Sequence, residues 1–155
     1  MTLKQGDKAP AFTATDQDGN TVSLKDYKGQ NVILYFYPKD DTPGCTAQSC
    51  NLRDNFDALK KKGVVVLGVS IDTEKSHKKF EKKFSLQFTL VADPEQKIVN
   101  AYGIWGEKNF MGRTFMGTIR TTFLINEQGK IAHIINKVDT KDHTAQILSL
   151  WTELE

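Results

Sequence analysis

Long apolar runs are missing from this 155-residue chain. No stretch approaches the ~18–20 consecutive apolar residues of a membrane span. Met1 to Asp7 also lacks the apolar core of a signal peptide, so a soluble, cytoplasmic protein with no membrane partner is expected. An excess of one charge is lacking too: 21 Lys and Arg face 19 Asp and Glu, for a net +2. A nucleic-acid binder concentrates basic charge on one face, and no nucleic-acid partner is expected. Cysteine is scarce, at two residues, which excludes a disulfide scaffold at this length. In a reducing compartment such a pair is catalytic or metal-binding rather than structural. The three histidines, His77, His133 and His143, match no compact ligand spacing, so neither metal nor cofactor is expected. Repeats, low-complexity tracts and linkers are absent. The length suits one domain, residues 1–155, with a core that needs no staples.

Alternating and apolar runs outline the elements. Phe12–Thr15 and Thr21–Leu24 flank the turn-rich Asp16-Gln17-Asp18-Gly19-Asn20 and predict a hairpin. Asn31 to Tyr37 and Val64 to Val69 read as buried strands. Between them, Thr42 is a natural N-cap with Pro43 at the first helical position. That helix, with Leu52, Phe56 and Leu59 on one face, is expected to run to Gly63. Asp72 or Thr73 caps a helix carrying His77, Phe80 and Phe84. Leu86 to Val91 is a short strand, and Asp93-Pro94-Glu95 opens a short helix with Ile98, Val99 and Tyr102. Gly103 to Gly117 reads as a long loop. Thr121–Ile125 and Lys130–Val138 form a second hairpin. Asp139 or Thr140 caps a last helix with Ile147, Leu148, Leu150, Trp151 and Leu154. This order predicts an α/β protein with a mixed central sheet flanked by helices. A thioredoxin-like fold with an N-terminal β-hairpin extension fits it.

The two cysteines sit where such a fold places its chemistry. With Thr42 as N-cap, Cys45 is the third helical residue, where backbone N–H groups lack intrahelical partners. Those donors and the helix dipole favour a thiolate, and in such surroundings a thiol pKa drops from ~8.5 to roughly 3.5–7.5. An inert buried cysteine is the competing reading, but a strand end followed by a helix start is a typical site in open α/β sheets. Cys50 lies five residues on. In an ideal helix that separation is about 7.5 Å of rise and roughly 140° of rotation, putting the Cα atoms roughly 8.7 Å apart. A disulfide needs about 4.4–6.8 Å. Pairing Cys45 with Cys50 therefore requires the first turns to unwind, which Thr46 and Ser49, mediocre helix formers, permit. An accessible thiolate beside a second thiol suits the sulfenic acid route to a disulfide.

The string Pro38-Lys39-Asp40-Asp41-Thr42-Pro43-Gly44-Cys45 resembles the Pro-x-x-x-Thr-x-x-Cys signature of the peroxiredoxins. Cys50 at its spacing is similar to the Q-type, or bacterioferritin comigratory protein, subgroup. Gly6 to Phe12, Trp105-Gly106-Glu107-Lys108 and Arg120 to Ile125 extend the resemblance over nearly the whole chain. It implies a thiol-dependent peroxidase that reduces hydrogen peroxide and organic hydroperoxides. Cys45 would be the peroxidatic cysteine and Cys50 the resolving one, joined in a redox-active disulfide. Thr42 would bond the thiolate and the peroxide, Pro38 would shield the pocket from water, and Arg120 would stabilise the thiolate and the departing oxygen. Thioredoxin or a similar dithiol would be the reductant, and the chain would act as a monomer.

Two other functions compete: a thioredoxin-like disulfide oxidoreductase, which ordinarily uses Cys-x-x-Cys, and a redox sensor. Weaker signals have plain readings. Asp40 and Asp41 read as turn formers and caps. Lys75, Lys78, Lys79, Lys82 and Lys83 form a basic helix face, read as solvated surface, with a docking patch as the alternative. Trp105, Phe110, Met111, Phe115 and Met116 form either an apolar wall beside the thiol or a lid packed on the core.

Overall fold

The computed structural model describes residues 3–151. The chain opens with a hairpin of β1 (Thr13–Asp16) and β2 (Thr21–Ser23). Its turn is closed by the Asp16 carboxylate, which accepts from the Asp18 and Asn20 amides. After a single 3-10 turn, Leu24–Tyr27, come β3 (Asn31–Phe36), α1 (Pro43–Asp54), α2 (Phe56–Lys61) and β4 (Val64–Ser70). Then follow α3 (Glu74–Phe84), β5 (Thr89–Ala92), α4 (Lys97–Ala101), β6 (Trp105–Phe110) and β7 (Arg113–Thr118). The described chain closes with β8 (Thr121–Ile125), β9 (Ile131–Ile135) and α5 (His143–Leu150).

Seven strands form one sheet in the order β2-β1-β5-β4-β3-β8-β9. β3 pairs parallel with β4, and β4 with β5. β8 runs antiparallel to β3, so the sheet is mixed and the fold is of the thioredoxin-like α/β kind expected. Successive side chains of a strand point to opposite faces, and β3 shows what this does. Ile33 and Tyr35, with Tyr37 just beyond the strand, join Leu52, Leu59, Phe80, Ile147 and Trp151 in one apolar layer. Val32, Leu34 and Phe36 join Ile98, Val99 and Tyr102 in the other. Both faces of β3 are buried, which is why its sequence shows no polar alternation.

Gly68 on β4 stands in register with Tyr35. A Cβ there would lie 2.8 Å from the Tyr35 ring and 3.0 Å from Leu90. The missing side chain leaves room for the Tyr35 phenol to reach across toward α1.

Three expectations from sequence are corrected. The helix after Thr42 does not run unbroken to Gly63. Asn55 leaves helical geometry (φ −108°, ψ 9°), and its side-chain amide donates to the Asn51 carbonyl at 2.8 Å. An asparagine that competes for the helix carbonyls in this way ends one helix and starts the next. The segment 103–117 is not a loop. It holds the two-stranded sheet of β6 and β7, in register from Trp105↔Thr118 to Phe110↔Arg113. Met111 (φ 50°) and Gly112 (φ 78°) form its turn, the two positive φ values that a tight two-residue hairpin requires. Most of its side chains are exposed, so no alternation marked the strands. The last helix is capped by Asp142 rather than Asp139 or Thr140; the Asp139 carboxylate instead accepts from the Lys141 and Asp142 amides. Leu154, expected on that helix, lies outside the described residues.

Candidate active site

The site forms where β3 hands over to α1. Tyr37 extends the pairing by one bond, its N–H donating to the Val69 carbonyl at 3.1 Å. The chain then turns through Asp41, whose φ of 59° is left-handed, to Thr42. Thr42 is the extended N-cap of α1 and Pro43 its first helical residue. Cys45 is the third, and its side chain is only 1% exposed.

Arg120 lies in the two-residue link between β7 and β8, which holds its backbone on both sides. One guanidinium nitrogen, Nη2, is 3.3 Å from Cys45 Sγ, and the other, Nη1, donates to Gln48 Oε1 at 2.7 Å. The planar fork thus bridges the thiol and a residue one turn further along α1. Gly44 makes the approach possible: a Cβ at this position would be 3.2 Å from Arg120 Nη2. Arg120 takes part in no ion pair among the described residues. Lys108 enters from β6 and donates to the Thr118 carbonyl at 2.9 Å. Burial pushes its ammonium down, with the Arg120 charge adding to this and Cys45 opposing it.

The Thr42 hydroxyl donates to the Lys39 carbonyl at 2.9 Å. Its proton is therefore spent on the loop and not on the Cys45 sulfur, and its lone pairs remain as acceptors. Pro38 is half-buried at the start of the same loop. Cys50 is a half-buried free thiol. Burial pushes it up, the Arg53 charge works against this, and the Asp54 charge reinforces it. It rests as a thiol, not as the more nucleophilic thiolate.

Between the cysteines the inner side of α1 is polar. Gln48 and Ser49 are both fully buried. Ser49 Oγ bonds the Tyr35 hydroxyl at 2.9 Å, and Gln48 Nε2 has no hydrogen-bond partner among the described residues. After Cys45 itself, the next residue of α1 in the apolar layer is Leu52.

Several expectations change here. Asp40 is more than a turn former and cap: it is buried, and its carboxylate lies 2.8 Å from His77 Nδ1. The basic face of α3 is partly spent on tethers, Lys78 to Asp18 and Glu81, and Lys83 to Asp41. The apolar residues of the β6–β7 hairpin are neither wall nor lid as a group. Trp105 packs on the core, while Phe110, Met111, Phe115 and Met116 are exposed. Gln48 and Gly44 were not picked out from sequence. Gln48 had a usable signal, since position i+3 from Cys45 shares its helix face; Gly44 had none, because its role depends on where Arg120 folds back.

A helix-terminal cysteine under an arginine, on a thioredoxin-like sheet, defines the class: a thiol-dependent peroxidase. The chain belongs to the AhpC/TSA family, which matches residues 5–134. Peroxiredoxin Bcp of Escherichia coli (strain K12) is 49% identical over 151 residues, which is 97% of each protein. A cysteine variant of Xylella fastidiosa PrxQ superposes with a TM-score of 0.92 at 29% identity, covering 100% of this chain and 99% of that one. A structure of the Xanthomonas campestris bacterioferritin comigratory protein, studied for its alkyl peroxide reduction activity, gives a TM-score of 0.86 at 31% identity. It covers 93% of this chain and 92% of that one.

Proposed function

We propose that this protein reduces hydrogen peroxide and organic hydroperoxides through Cys45, with Cys50 as the resolving thiol. The observation that carries the reading is the Arg120 guanidinium at 3.3 Å from Cys45 Sγ, over the N-terminal turn of α1. In the first step the Cys45 thiolate attacks one peroxide oxygen. The O–O bond breaks, sulfur keeps one oxygen as a sulfenic acid, and the other leaves with a proton as water or alcohol. Arg120 supplies fixed donors for the charge on the departing oxygen. The Thr42 oxygen accepts from the peroxide hydroxyl, and Pro38 limits water at the loop.

In the second step the Cys50 thiol attacks the sulfenic sulfur, water leaves, and a Cys45–Cys50 disulfide forms. The helical separation of the two residues makes unwinding of the first turns of α1 part of this step. Buried Gln48 and Ser49 in place of leucines keep its energetic cost low. A dithiol protein of the thioredoxin type then restores both thiols by exchange. An intramolecular resolving thiol needs no second chain, which supports a monomer of one domain, residues 1–155. No helix among the described residues is long and apolar enough to cross a membrane; the proposed role is that of an antioxidant enzyme of the cytoplasm.

Mass spectrometry after one equivalent of peroxide tests the assignment. Wild-type protein should gain a Cys45–Cys50 disulfide, and Cys50→Ser should hold one added oxygen on Cys45. Oxygen retained on Cys50 in Cys45→Ser, with peroxide turnover intact, would reverse the roles.

A further inference from the structure

The catalytic loop is held from beneath by a buried polar cluster that the chemistry above does not use. The Asp40 carboxylate accepts from Tyr37 Oη at 2.6 Å, Ser76 Oγ at 2.7 Å and His77 Nδ1 at 2.8 Å. Its backbone N–H donates to Asp72 Oδ2 at 2.8 Å, and Ser70 Oγ donates to the same oxygen at 2.7 Å. His77 is fully buried, and its second nitrogen, Nε2, is 3.0 Å from the Val91 carbonyl. Both ring nitrogens face oxygen atoms of the protein. Burial, with the Asp40 charge next, pushes the Tyr37 phenol well up, so it remains a donor to Asp40. The ligand atoms of Asp40, Asp72 and His77 lie within 4.8 Å of one another, as in a metal site. Each residue is already engaged by protein groups, and the cluster is a hydrogen-bonded clamp. It ties one loop to α3 and to the ends of β4 and β5.

The clamp grips the segment that must let go. Asp40 is two residues before Thr42, the cap of α1, and Asp41 between them is held left-handed and paired with Lys83 at 2.7 Å. Unwinding α1 from its N-terminus frees the end of this loop, and the buried bonds at Asp40 oppose it. We propose that Asp40 and His77 are positioning residues whose pairing sets the balance between the wound and unwound active site, and with it the fate of the Cys45 sulfenic acid. This rests on the Cys45–Cys50 reading above. While α1 is wound, a second peroxide converts the sulfenic acid to sulfinic acid, transferring one oxygen and releasing water or alcohol. Once α1 unwinds, Cys50 captures the sulfenic sulfur and expels water. A firm clamp lengthens the life of the sulfenic acid, and a weak one hands it to Cys50 sooner.

The experiment compares full-length wild type, Asp40→Asn, His77→Gln and Val99→Ala during turnover with hydrogen peroxide and dithiothreitol. Intact-mass spectrometry reads Cys45 sulfinic acid formed per turnover. Loss of a charge-assisted bond should lower that ratio about tenfold in Asp40→Asn and in His77→Gln. Val99 is buried on the opposite face of the sheet; its truncation weakens the fold without touching the loop and should keep the wild-type ratio. If one clamp variant does not fold, the other decides. An unchanged ratio in the folded clamp variants, or an equal fall in Val99→Ala, overturns the clamp. A wild-type protein that never forms the Cys45–Cys50 disulfide appears in the same spectra and overturns the underlying reading instead.

Discussion

At the scale of single residues, the site depends on how closely one guanidinium approaches one sulfur. Arg120→Ala removes the fixed donors beside Cys45 and should slow sulfenic acid formation about 10²-fold or more. Stopped-flow tryptophan fluorescence with hydrogen peroxide measures it, and a wild-type rate would remove Arg120 from the mechanism. Gly44→Ala tests the same approach from the other side. The added methyl meets Nη2 at 3.2 Å, so the guanidinium must shift by a few tenths of an ångström. Because reaction geometry is sensitive to such displacements, the rate should fall about tenfold while the melting temperature changes little. An unchanged rate would mean the fork tolerates the shift. The placing of Thr42 and Cys45 at the start of α1 was legible because a local cap pattern decides it, whereas the contact of Arg120 with Cys45, 75 positions away, has no local signal and was expected from the family resemblance alone. Asp40 was misread because the residues that bury it, Tyr37, Ser76 and His77, come partly from α3, and no local pattern announces a partner 37 positions away.

At the scale of elements, strands buried on both faces and the capped start of α1 were readable because local composition decides them. The β6–β7 hairpin was not, because its residues mostly face water and carry no period. α5 contributes a titratable contact of its own. His143 is buried at its first turn, with Thr122 Oγ1 at 2.9 Å from Nε2 and Gln146 Oε1 at 2.9 Å from Nδ1. Burial pushes the imidazole down; the Gln146 bond opposes this and the Arg120 charge adds to it. A histidine with a depressed folded value binds protons more readily when unfolded. Its contribution to stability is therefore complete above the unfolded value of about 6.5 and is lost as pH falls through the folded value. The melting temperature of the wild type should drop more between pH 7.5 and pH 5 than that of His143→Gln. Parallel pH profiles would remove His143 as a source of acid sensitivity.

At the scale of the whole molecule, the two apolar layers are unequal in purpose. The layer with Ile98, Val99 and Tyr102 has no cysteine, while the other holds Cys45, so the proposed unwinding of α1 would touch only one face of the sheet. The β6–β7 hairpin lies outside both layers at its tip. Phe110 is 66% exposed and Met111 88%, and replacing both with serine should change unfolding free energy by no more than about 0.5 kcal/mol each. Urea denaturation checks this, and a larger loss would mean the tip supports the fold. The near-complete burial of Cys45 has a further consequence. A peroxide of a few atoms can be admitted to that sulfur, whereas a protein-sized thiol cannot be seated against it while α1 is wound. On the proposed Cys45–Cys50 route, the motion that closes the disulfide is also the one that shows it to a protein reductant, so that one gate serves both halves of the cycle.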